Sequence, residues 1–298
     1  MKRKVKIIVA LTAALFISAC QGKALAVQDR ESVTEEPLEM SRTEEIKIFS
    51  DSAEHIWIHP QGNTVGERIE VPEGYVRVEY GQGSFGAFVR NYPLKADGSP
   101  VVYYNGDEKQ TDNHVAVFDM YLGQRDLQQC ADSVMRMIAE YYYALGDFDR
   151  IHFAFVNGFD CRYDRWRQGQ RVKIDGDLVS WTGGGTPGDS QESFEQYLTT
   201  VFAYASTLSM ERDGTSSEAA DIKTGDVFIK GGSPGHVVMV ADVCEDAQGK
   251  KAFLLAQGYM PAQSFHVLKN PHREEPWYYE EDMAYPFVTP EYTFRRAA

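Results

Sequence analysis

Three apolar runs near the C-terminal end constrain this chain more than any other feature: "GDVFIKG" (225–231), "GHVVMVADV" (235–243) and "KAFLLAQGYM" (251–260). Each is of strand length, and Gly/Pro or polar turn residues separate them. They predict consecutive strands of an antiparallel sheet. Upstream, "RDLQQCADSVMRMIAEYYYALG" (125–146) places Val134, Met137, Ile138, Tyr141 and Leu145 at helical spacing, with Cys130 on the same stripe. Asp126 and Gln129 resemble a capping box, and Gly146 suits the stop. On that reading Cys130 is the fourth helical residue, where the help of the helix dipole has faded. "RIHFAFVNGF" (150–159) reads as a buried strand. "SFEQYLTTVFAYASTL" (193–208) reads as a second helix with Phe194, Leu198, Val201, Phe202 and Ala205 on one face. Residues 158–192 read as a long ordered loop or a small hairpin.

The order helix, strand, helix, consecutive strands predicts an α+β fold with an antiparallel sheet. Residues 51–120 carry strand-like patterning: "ERIEVPEGYVRVEY" alternates on both sides of a Pro-Glu-Gly turn, and "SPVVYYNGDE" and "HVAVFDMYL" are further strand candidates. "SFGAFVRNYPL" fits a helix or a strand. With 43% hydrophobic residues the chain can bury a sizeable core, and 51–298 is expected to form one compact unit.

The first residues, "MKRKVKIIVALTAALFISAC", join a basic head to a short apolar run and end in small residues before Cys20. This is an export signal over 1–19, too short for a transmembrane helix. The "ISAC" ending resembles the bacterial lipoprotein signal, which implies lipidation of Cys20 and a cell-envelope location, on the periplasmic side or the outer-membrane surface. Residues 20–50 read as a flexible acidic tether. Removing residues 1–19, with four basic and no acidic side chains, takes the net charge from −14 to −18. So acidic a surface repels phosphate backbones, which argues against nucleic acid as a partner and leaves the lipid on Cys20 as the membrane contact.

Besides the lipidated Cys20, three cysteines remain after the signal: Cys130, Cys161 and Cys244. An odd number in an oxidising compartment leaves one unpaired within a monomer. Cys161 and Cys244 read as surface thiols or as a pair, and a Cys130–Cys161 bridge is a further option. The seven histidines show no metal-ligand spacing, so neither metal nor cofactor is expected. Asp242 and Asp246 read as a solvated turn. His236, at the start of an apolar strand after a Gly/Pro loop, can present its ring to a cleft. Gln257, at the end of the next strand, can orient that ring. A thiol, a base and a group that holds the base make a nucleophilic constellation. The alternatives are structural: Cys130 as a small core hydrophobe, His236 satisfied by a loop carbonyl, Gln257 tying down its loop. Arg162, Trp166, Arg171 and Trp181, with Arg165 and Arg167, form an aromatic and basic stretch suited to a glycan or a carboxylate.

Gly225-Asp226, Gly235-His236 and the upstream cysteine helix resemble the NlpC-type, papain-like cysteine peptidases that cleave peptidoglycan. That resemblance implies a papain-like α+β portion over 121–298, with Cys130 as nucleophile, His236 as base and Gln257 as third residue. It departs in the cysteine motif, where Gln129 precedes and Ala131-Asp132 follows, and at Gln257, where that family more often has His or Asn. A second resemblance covers nearly everything after the tether. "SFGAFVRNYPL", "DLQQCADSVMRMIAEY", "IHFAFVNGF", "GDVFIKGGSPGHVVMVADV" and "FLLAQGYMPAQSFHVLKNP" look like an uncharacterised family of bacterial, mainly Bacteroidetes, lipoproteins, a domain of unknown function. It departs at Gly258, where that family usually has serine. The resulting expectation is a lipoprotein amidase or peptidase acting on cell-wall peptides. The alternative is a non-catalytic binding module for a cell-wall or glycan ligand on the same fold.

Overall fold

The computed structural model describes residues 7–9 and 56–295. The lipidation site Cys20, the tether 20–50 and all of the signal except Ile7–Val9 lie outside the described residues. Its centre is an antiparallel sheet built on the three apolar runs: Val227–Lys230, His236–Asp246 and Lys251–Gln257 lie side by side, followed by His266–Leu268 and His114–Val117. Tyr75–Arg77 pairs with the far end of the His236–Asp246 strand, and Tyr278–Tyr279 with Ala252–Phe253. Ile7–Val9, from the segment read as the export signal, lies between Thr215–Ser217 and Val227–Lys230 at the other side, a strand that cleavage before Cys20 would remove.

The sheet is buried on both faces, which is why its central strands read as continuous apolar runs rather than alternating ones. Val237, Met239 and Ala241 point into the core shared with helix Cys130–Leu145; Val238, Val240 and Val243 point into a second core with Phe228, Phe253 and Phe287. A bulge between Val240 and Asp242 keeps both faces apolar across the break in register. Helix Cys130–Leu145 packs across the His236–Asp246 strand. Helix Gln191–Tyr204 buries Phe194, Tyr197, Leu198, Val201 and Phe202, and it is tied to the first helix by Arg136. That buried guanidinium holds Glu195 at 2.8 and 2.6 Å and Gln128 at 2.6 Å.

Several expectations are corrected, and others are settled between their alternatives. "RIHFAFVNGF" supplies only His152–Ala154, half-exposed and paired with Asp160–Arg162 outside the main sheet. Residues 158–192 hold that strand, helix Tyr163–Arg167 and the hairpin Arg171–Asp175/Leu178–Thr182. "SFGAFVRNYPL" is helical over Phe85–Arg90, with Ser84 as its N-cap. Asp242 is fully buried, not solvated: it lies between Arg77 Nε at 2.8 Å and Arg90 Nε at 2.7 Å. Cys161 and Cys244 are buried, not surface thiols, and Cys130, Cys161 and Cys244 are all free. Each sits in an apolar interior where burial raises the thiol pKa.

Candidate functional site

Cys130 is the first residue of its helix, not the fourth. Asp126 does not cap that helix. Its carboxylate accepts the Ala262 N–H at 2.7 Å and the Gln129 side-chain amide at 3.1 Å, tying the helix entry to the loop after Gln257. The cap is made one turn later: Gln129 is the N-cap, and its N–H is taken by Asp132 at 3.1 Å. The thiol therefore sits among free helix-head amides. The N–H groups of Val237, Ala131 and Cys130 lie near enough to its sulfur to favour the thiolate. Val237 immediately follows His236, so the thiol lies at the start of the histidine strand.

Two close approaches make that placement. The loop before His236 turns through Gly235, where a Cβ would meet Gly232 O and Thr207 Oγ1 at 2.4 Å. After Gln257 the chain leaves the sheet at Gly258, whose missing side chain is filled by Ser133 of the cysteine helix; a Cβ there would meet Ser133 Oγ at 2.4 Å and Gln129 O at 2.9 Å. Asp226, the other member of the Gly-Asp/Gly-His pattern, closes its own turn by accepting the Lys223 N–H at 3.0 Å. Those motif residues thus have packing duties of their own.

His236 is 1% exposed and its Nε2 lies 2.8 Å from Gln257 Oε1. Its Nδ1 is buried with no hydrogen-bond partner, so thiol and imidazole are not bonded to each other. They share neighbours. The ring packs against Tyr259 and Tyr292 with centroids 5.0 and 4.9 Å away, and both tyrosine hydroxyls lie within the field of the Cys130 sulfur. Burial pushes the Cys130 thiol up to about 11, against the pull of the three amides. It pulls His236 down to about 4, against the Gln257 bond and Glu291. Desolvation wins at both groups, so at neutral pH the site holds a thiol and a neutral imidazole rather than an ion pair.

Sequence reasoning singled out Cys130, His236 and Gln257 as candidates and did not reach the groups behind them. Gln257 donates its amide to Glu291 at 2.6 Å, and Glu291 is held by Lys109 at 2.6 and 2.7 Å. Lys109 and Glu291 stand 182 positions apart in loops without periodicity, so no local pattern could have joined them. His266, in register beside Gln257, donates Nδ1–H to Ser264 O at 2.8 Å and leaves Nε2 buried without a partner. Tyr259 and Tyr292 had no signal beyond being aromatic.

The aromatic and basic stretch is engaged within the protein. Arg162 pairs with Asp164 at 3.0 Å and Asp160 at 3.6 Å, and Arg167 with Asp189 at 2.7 Å. Arg171 stacks 4.2 Å over buried Trp166 and donates to its carbonyl at 2.9 Å. Trp181 packs on Phe159, with Arg165 above it at 5.8 Å. An apolar cavity of about 450 Å³ opens elsewhere, between Val134, Met135 and Ile138 of the cysteine helix and Phe85, Phe153 and Met210. Among the described residues no group of three or more His, Cys, Asp or Glu could hold a metal ion, and no helix is long and apolar enough to cross a membrane.

Fold and site together define an α+β protein in which a helix-head thiol lies near the start of a strand that opens with a buried imidazole. The chain belongs to the family described as domain of unknown function (4846), whose model matches residues 65–298. No curated protein and no solved structure matches it.

Proposed function

We propose that this chain is an exported lipoprotein, anchored through Cys20, that hydrolyses amide bonds of cell-wall peptides with a papain-like, NlpC-type site. One observation carries the reading: His236, which opens the strand whose Val237 N–H lies at the Cys130 sulfur, is held through Nε2 by Gln257 while its buried Nδ1 has no partner. A buried acceptor without a donor is costly, and such atoms are kept where a proton is to be received. In the reaction Cys130 Sγ attacks the amide carbonyl as its proton passes to His236 Nδ1. The oxyanion is received by the Cys130, Ala131 and Val237 N–H groups. The C–N bond then breaks, His236 returns the proton to the leaving amine, and water, deprotonated by His236, releases the acid from the thioester. The peptidoglycan peptide is the substrate class that the NlpC resemblance supplies.

Because both groups rest neutral, the pH profile differs from that of an ion-pair enzyme. His236 must be unprotonated to act as base, so activity is retained above its pKa of about 4 and lost as pH falls through it. Iodoacetamide labelling of Cys130 rises only toward pH 11, where the thiol ionises. The test is muropeptide hydrolysis from pH 3 to 10 by wild type, Cys130→Ser and His236→Ala. A wide plateau with an acid limb, abolished in both variants, supports the reading. Turnover that survives in Cys130→Ser, or none in wild type, sinks it.

The 450 Å³ cavity favours a second reading, a non-catalytic binding module. Its lining suits an apolar group of a cell-wall ligand better than a bare glycan. Binding of muropeptides or glycans by wild type with no turnover would select it.

A further inference from the structure

His236 serves as base toward the thiol only as one of its two neutral tautomers, the one with hydrogen on Nε2 and a bare Nδ1. Gln257 does not choose between them by itself. An amide offers a carbonyl or an NH2 to the same ring nitrogen after a half turn, and the two orientations have the same shape. Turned one way, Gln257 accepts from Nε2–H and leaves Nδ1 bare. Turned the other way, it donates to Nε2 and puts the hydrogen on Nδ1, which can then take no proton.

The choice is made one residue further back. Glu291 offers only acceptors to Gln257 Nε2, at 2.6 Å, so the NH2 must face the carboxylate and the carbonyl must face His236. Glu291 is itself fixed. Lys109, whose side chain is 4% exposed, holds both its oxygens, and Tyr259 OH donates to its backbone carbonyl at 3.2 Å. Lys109 thus supplies the cation, Glu291 the acceptor and Gln257 the transmission.

We infer that Glu291, anchored by Lys109, is a positioning residue that sets the tautomer of His236 through Gln257. The inference rests on the reading of His236 as the base. It adds two residues that act on His236 at one and two removes: Glu291 bonds Gln257, and Lys109 bonds Glu291.

The test reads the tautomer directly, without substrate. Long-range 1H–15N correlation spectra of the histidine-labelled full-length protein near pH 7.5, with His236 assigned by its loss in His236→Gln, distinguish a protonated from a bare ring nitrogen. Wild type is expected to show Nε2–H with bare Nδ1 in at least roughly tenfold excess, since a charge-assisted bond holds the amide. Glu291→Gln keeps the shape but offers both a donor and an acceptor, so the excess is expected to collapse toward a mixture. Lys109→Met, which frees the carboxylate to turn, is expected to shift it in the same direction and serves if Glu291→Gln does not fold. A wild-type mixture, or a single tautomer unmoved in both variants, overturns the inference. Tautomers that shift as expected in a protein that cleaves no muropeptide would uphold the relay and overturn the hydrolase reading.

Discussion

At the residue scale the site is governed by desolvation. Asp132 shows it most plainly. Its Oδ2 caps the helix by taking the Gln129 N–H, yet Oδ1 is buried without a partner, and burial pushes the carboxyl from its ordinary 3.8 up to about 8. A carboxyl with a raised folded pKa binds protons more tightly in the native state, so stability is fully present below its unfolded pKa and is lost as pH rises through the folded one. Asp132→Asn keeps an acceptor for the cap but cannot ionise. The Tm of the variant relative to wild type is expected to grow from about pH 4 to about pH 8 and level off above. A difference independent of pH would show that the Asp132 carboxyl stays ionised. Above about pH 8 the ionised Asp132 adds its charge to the burial that raises the neighbouring thiol.

At the element scale what matters is how the cysteine helix meets the end of the sheet. The helix head enters where Lys251–Gln257 gives way to the loop, and Ser133 occupies the space left by Gly258. Gly258→Ser therefore overpacks the junction, with an expected cost of about 1–3 kcal/mol in urea unfolding. Ser133→Ala removes the nearest clashing atom and should restore part of it, although Gln129 O remains. A double-mutant cycle measures that coupling, and additive effects would mean that the two residues do not share this space. The amphipathic stripe of the helix was legible because a spacing of 3.6 residues is local. Its first residue was not. Asp126 and Gln129 have the spacing of a capping box, but Asp126 is claimed by Ala262, 136 positions away, and the helix starts later. That shift places Cys130 where helix-head amides reach its sulfur.

At the scale of the whole molecule, residues before the cysteine helix are stapled to the sheet by buried polar groups. Asp242, on the longest strand, is gripped by Arg77 and Arg90, 165 and 152 positions away. Trp277 Nε1 donates to Glu70 O at 2.7 Å, and Thr224 N–H to Tyr80 OH at 2.9 Å. Asp242→Asn leaves two half-buried guanidinium groups short of their charge partner, with an expected loss of about 3 kcal/mol. The urea midpoint should fall with the slope unchanged, because the contacts join one cooperative unit. A second, separate transition would show instead that the N-terminal portion unfolds alone. The sequence pattern around Asp242 looked like a turn because two aspartates flank Cys244, and nothing local announces an arginine pair.

The apolar runs at 227–257, the stripes of the two long helices and their antiparallel α+β assembly followed from the sequence alone, because periodicity and turn chemistry act between near neighbours. So did the candidacy of Cys130, His236 and Gln257, since residue type and strand position are local facts. Only the tertiary structure decided that the thiol heads its helix, that burial holds thiol and imidazole neutral, and that Lys109 and Glu291 stand behind Gln257. Each of these depends on which distant groups share a space and how much water is excluded from it, and a linear pattern carries no record of either.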